Sequence, residues 1–102
     1  MKVINLKDFD ENEGVFINLE NLDTDGFKYK NEIRINYEKL LLEHKELLDK
    51  NVKYFIYCLG GLRSKKAANI LDFYGYDVTL VRKWLPLHLM GVFYCFLGII
   101  NL

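Results

Sequence analysis

The chain has 102 residues, 51% of them hydrophobic, and its 14 basic and 14 acidic side chains cancel to a formal net charge of zero. That length allows one small domain with one core, and the charge balance argues against a nucleic-acid partner, whose binding would rest on neutralising phosphates. Two cysteines, Cys58 and Cys95, are too few for a disulfide framework and lack metal-ligand spacing. The expectation is therefore no metal, no cofactor and a reduced, cytoplasmic compartment.

The first residues, MKVINLKDFDENEG, hold no apolar stretch of the kind a secretory signal needs. Within them KVINL (2–6) alternates and is rich in β-branched residues, which predicts a strand. GVFINLE (14–20) follows the polar turn DENEG and predicts a second, largely buried strand. A loop with Asp25-Gly26 as its turn signal leads to EIRINY (32–37), whose alternation predicts a strand with one exposed face. YEKLLLEHKELLDK places leucines 40, 41, 47 and 48 near helical spacing among charges, the pattern of an amphipathic helix ending at Lys50-Asn51.

VKYFIYC (52–58) is a nearly continuous apolar run, the mark of a central strand covered on both faces. After Gly60-Gly61, RSKKAANILDFYGY predicts a helix that turns Ala67, Ala68, Ile70, Leu71, Phe73 and Tyr74 inward and stops at Gly75. DVTLV (77–81) predicts a last buried strand. Strand–helix alternation in the second half implies right-handed crossovers. The expected fold is a small α/β domain over 1–83, with a central, mostly parallel sheet of four or five strands and helices on both faces.

Cys58 thus falls at the corner between a strand and a helix. Backbone N–H groups of such a turn converge on a small volume and carry partial positive charge, which favours an anion or a thiolate. A thiolate there is a nucleophile. Gly60 and Gly61 let the loop curl close to a ligand, and Arg63, Lys65 and Lys66 add cationic charge. The plainer alternative is a buried cysteine acting as a small hydrophobe. His44 and His88 read as packed or surface residues, and Tyr29, Tyr37, Tyr54 and Tyr57 as core or half-buried strand residues.

CLGGLRSKKAANILDFYGYDVTLV resembles the active-site loop, following helix and last strand of rhodanese-like sulfurtransferases. The family loop commonly reads Cys-x-x-Gly-x-Arg-Ser, and the likeness runs from about residue 52 to 81. The resemblance implies that Cys58 carries a persulfide. It also implies that Leu59, Gly60, Gly61, Leu62, Arg63 and Ser64 cradle the substrate anion and the persulfide. Arg63 would assist by its charge. Four residues separate Cys58 from Arg63, whereas related phosphatases use five, so sulfur transfer is favoured over phosphate hydrolysis. The implied substrates are a small sulfur-donor anion such as thiosulfate and a cyanide, thiol or protein acceptor.

Two family elements differ. Where the family carries Asp-x-Arg, this chain has Asn18-Leu19-Glu20, and KNEIRIN replaces a His-Ile-Pro-Gly-Ala stretch. A catalytically weak or inactive rhodanese-like binding or regulatory module is the alternative these departures imply. The remaining segment, WLPLHLMGVFYCFLGIINL (84–102), carries no charged residue. At ~1.5 Å per residue it could just cross a ~30 Å hydrocarbon core, with Arg82, Lys83 and Trp84 as interface anchors. It reads as a closing helix, a membrane anchor or an altered terminus, so membrane association through 85–102 stays open.

Overall fold

The computed structural model describes residues 1–20 and 29–83. The Asp25-Gly26 turn and the apolar tail 84–102, with His88 and Cys95, lie outside the described residues. Among those described, no helix is long and apolar enough to cross a membrane.

Five strands form one sheet: β1 (Lys2–Asn5), β2 (Val15–Asn18), β3 (Glu32–Arg34), β4 (Lys53–Tyr57) and β5 (Asp77–Arg82). Their order across the sheet is β1-β5-β4-β2-β3, and every neighbouring pair is parallel. The most apolar run in the sequence occupies the central strand. In β4, Tyr54, Phe55 and Ile56 are all buried, because a parallel strand between two neighbours is covered on both faces.

Two α-helices complete the described fold, α1 (Tyr37–Leu47) and α2 (Leu62–Phe73). Leu40 and Leu48 from the α1 region and Ala67, Ala68 and Leu71 from α2 join one core with Ile17, Ile56, Val78 and Leu80 of the sheet. The opposite face carries Phe16, Phe55 and Val81, covered by Ile4, Leu6, Phe9, Tyr29 and Tyr57. Leu6 there opens a short 3-10 helix, Leu6–Asp8. Among the described residues, two α-helices lie on one face, and a 3-10 turn with aromatic side chains lies on the other. Strand order supplies the reason. The steps from β3 to β4 and from β4 to β5 move in the same direction across the sheet, so right-handed crossovers put both helices on one side. The step from β1 to β2 runs the other way.

Several boundaries move from those expected. EIRINY is strand only over Glu32–Arg34, because Asn36 leaves the sheet to cap α1, its side chain accepting from Lys39 N–H at 2.7 Å. Asn18 closes β2 by accepting from the backbone N–H of Glu20 at 2.9 Å, an Asx-type turn. Phe73 and Tyr74 do not turn inward: Phe73 is 85% exposed and Tyr74 47%. The buried face of α2 is Ser64, Ala67, Ala68 and Leu71, and Phe73, two residues past Leu71, points about 200° away on a 3.6-residue turn. Tyr74 caps the helix, with its ring 4.8 Å from that of His44. Gly75 ends α2 at φ +93°, the left-handed conformation of a helix stop.

Candidate active site

Parallel strands all end at the same edge of a sheet, and the loops that follow them gather there. Cys58 is the first residue beyond β4, and α2 begins at Leu62. Gly61 occupies the N-cap position of α2 with φ +79° and offers no side-chain acceptor to the helix. One acceptor comes from Cys58. Its Sγ takes the backbone N–H of Ser64 at 3.2 Å, the third residue of the helix, where a capping serine or aspartate would ordinarily act. The sulfur therefore sits at the positive end of the helix dipole.

Ser64 is wholly buried. The Cys58 thiol donates to Ser64 Oγ at 3.2 Å, and that hydroxyl donates to the Gly61 carbonyl at 3.2 Å. Sulfur, hydroxyl and loop backbone thus form one closed set of bonds. Cys58 itself is only 4% exposed, at the floor of the loop. Around it Leu59 and Leu62 are 65% and 63% exposed, and Gly60, Arg63, Lys65 and Lys66 are also exposed. The structure thus brings Cys58, Gly61 and Ser64 together at the sulfur and leaves Leu59, Gly60, Leu62 and Arg63 as an open rim.

The two glycines differ. A Cβ on Gly60 would meet nothing within 4 Å, and its φ is not in the left-handed range. Gly61 has the same open space but the positive φ. Gly61→Ala should therefore cost about 1–2 kcal/mol through backbone strain, and Gly60→Ala no more than about 0.5 kcal/mol. Paired urea melts check this, and equal costs at both positions would contradict it.

One residue outside the sequence expectation also reaches the loop. Glu20, half-buried, accepts the backbone N–H of Leu59 at 2.6 Å. Its position is fixed by the Asn18 turn and by Leu19 N–H donating to the Tyr57 carbonyl at 2.9 Å. Tyr57, at the end of β4, packs on the opposite face of the sheet against Phe16. Burial, the Glu20 carboxylate, the Cys58 sulfur and the Tyr29 phenol together raise its phenol pKa above the usual value. Glu20 is thus the residue standing where the family carries the last position of Asp-x-Arg. In β3, Arg34 is the register partner of Asn18 and pairs with Glu32 at 2.8 Å. A departure from a motif was the sole sequence signal for Glu20, and it pointed to a loss rather than to a new contact.

His44 lies away from this edge. It is buried near the end of α1, and its Nδ1 is 2.9 Å from the Tyr76 hydroxyl. The same hydroxyl reaches the His44 carbonyl at 3.3 Å, and His44 is a packed residue. Among the described residues no three His, Cys, Asp or Glu side chains gather as a metal site.

No protein-family model matches the sequence, and no curated protein matches it. Solved structures do. A rhodanese-related protein from Thermoplasma volcanium aligns with a TM-score of 0.68 at 26% identity, over 81% of this chain and 85% of that one. The reduced CoADR-RHD of Bacillus anthracis aligns with a TM-score of 0.65 at 26% identity, and a NAD-dependent persulfide reductase from A. fulgidus with 0.61 at 23%. These two alignments cover 78% and 80% of this chain but only 15% of each longer protein. The all-parallel five-stranded fold lies within the span of these alignments, and the described residues form a rhodanese-like domain.

Proposed function

We propose that this domain moves sulfane sulfur, holding it as a persulfide on Cys58. The observation that carries the reading is the placement of Cys58 Sγ as the N-terminal acceptor of α2, where the Ser64 N–H meets it directly. A thiolate there has a backbone donor and a helix N-terminus as its counter-charge. On ionisation the Ser64 hydroxyl, now bonded to the Gly61 carbonyl, is free to turn its proton toward the sulfur.

The reaction balances without a metal or a redox partner. The Cys58 thiolate attacks the outer sulfur of a donor such as thiosulfate, a new S–S bond forms, and the donor's S–S bond breaks with its electron pair leaving on sulfite. Cyanide or a thiolate then takes the outer sulfur and returns the Cys58 thiolate. The loop from Leu59 to Ser64 surrounds the persulfide, with the amides after Leu59 as its donors; Arg63 draws the anion from solvent, and exposed Leu59 and Leu62 offer apolar surface to a thiol or protein acceptor. The A. fulgidus neighbour, named for persulfide chemistry, accords with this reading. A second reading, a non-catalytic rhodanese-like module, draws on the 4% exposure of Cys58, which leaves little sulfur open to a donor.

Thiosulfate treatment followed by intact-mass spectrometry separates the two. One added sulfur is expected on the wild-type chain and on Cys95→Ser, and none on Cys58→Ser. If no adduct forms and no acceptor is sulfurated, the module reading replaces the transferase.

A further inference from the structure

Among the described contacts, a carboxylate bonded to a loop meant for anions is the observation that the proposed function leaves unused. Leu59 N–H is the first amide after Cys58, and it points to Glu20 Oε1 rather than into an open cradle. The contact joins residues 39 apart in sequence. Glu20 is held by backbone as well as side chain: its own N–H goes to Asn18 Oδ1, and the preceding N–H goes to Tyr57 O. The charge therefore stays beside the loop. Half-buried, it is screened less than a free surface carboxylate.

The cations of the helix start do not cancel it by contact. Arg63, Lys65 and Lys66 are exposed, and among the described residues none forms an ion pair with Glu20. An anion approaching Cys58 over the Leu59 side thus meets one fixed negative charge and finds one amide already taken.

We propose that Glu20 sets the charge selectivity of the Cys58 site, disfavouring dianionic sulfur donors and selecting sulfane-sulfur donors that bear a single negative charge. This rests on the sulfur-transfer reading for the identity of the donor, but the charge filter acts on any reagent that reaches Cys58. Glu20 acts on the substrate's charge and takes no part in bond making.

Thiosulfate and methanethiosulfonate provide the comparison. Both present the same outer sulfur, but the first is a dianion that expels sulfite and the second a monoanion that expels methanesulfinate. In the wild-type chain methanethiosulfonate should load Cys58 faster. In Glu20→Gln, which keeps an oxygen acceptor for Leu59 N–H and removes the charge, the thiosulfate-to-methanethiosulfonate rate ratio should rise on the order of tenfold. That is the scale of one extra unit charge acting across several ångström of partly screened surface. Glu20→Ala should shift the ratio by the same amount. A shift in the alanine variant alone would trace the effect to the lost hydrogen bond and overturn the proposal.

A parallel measurement needs no sulfur transfer. Iodoacetate, an anion, and iodoacetamide, a neutral reagent, each form an S–C bond with Cys58 and expel iodide. Their rate ratio at the Cys58 peptide, read by mass spectrometry, should also rise about tenfold in Glu20→Gln. If neither donor loads sulfur but the alkylation ratio shifts, sulfur transfer falls and the charge filter stands. If the alkylation ratio stays within about twofold of wild type, the charge filter falls, whatever the donors do.

Discussion

Ile56→Ala should destabilise the domain by about 2–5 kcal/mol, read as a lower urea midpoint on the full chain. Ile56 is wholly buried in the middle of the sheet. Its register partners are Ile17 on β2 and Leu80 on β5, both also buried, so the space left by the missing methyl groups is walled on both sides by strands that cannot close in. Small domains have ~5–15 kcal/mol of stability in total, and this one change removes a large part of it. Ile56→Val removes a single methyl and should cost about 0.5–1.5 kcal/mol. A loss under about 1 kcal/mol in the alanine variant would show that the β4 core is not packed as described. Ile56 lies two residues before Cys58 on the same side of the strand, so the geometry of the sulfur depends on this packing.

Gly14→Ala should be the other severe change, although it adds only one methyl group. A Cβ at Gly14 would lie 2.3 Å from the Lys53 carbonyl oxygen and 3.0 Å from the Phe55 ring. The ring can turn, but the carbonyl belongs to the backbone at the start of β4 and has no rotamer to change. Relief requires β2 and β4 to separate where their ladder begins, at the Val15–Tyr54 pair. Forced overpacking of this kind typically costs about 1–3 kcal/mol, and a backbone clash sits at or above the upper end. Gly14→Ser should behave at least as badly. A thermal melt of Gly14→Ala within one or two degrees of wild type would contradict the close approach.

The apolar runs and helical spacings in this chain were enough to place the strands and helices in order. Hydrophobic periodicity is local: VKYFIY buries Tyr54, Phe55 and Ile56, DVTLV buries Val78, Leu80 and Val81, and KAANIL buries Ala67, Ala68 and Leu71 while Ile70 is only half-buried. The corner at Cys58 was legible for the same reason: an apolar strand, two glycines and a helix follow one another within twenty-one consecutive residues, 53–73. Boundaries were less legible where a polar side chain diverts the backbone. Asn36 and Asn18 each end a strand by bonding a backbone N–H two or three residues on, and alternation alone carries no sign of that choice.

What the sequence determined by itself, then, is the order of elements, the buried central strand and the cysteine at its end, all set by short-range patterns. Tertiary structure alone decided three further things. It put both described α-helices on one face, because crossover handedness acts on strand order, which no local pattern encodes. It turned Phe73 out to solvent, because the small residues Ala67 and Ala68 claim the sheet and rotate the helix accordingly. And it brought Glu20 to the Leu59 amide, a contact fixed by the parallel register of β2 against β4 between residues that only the folded sheet makes neighbours.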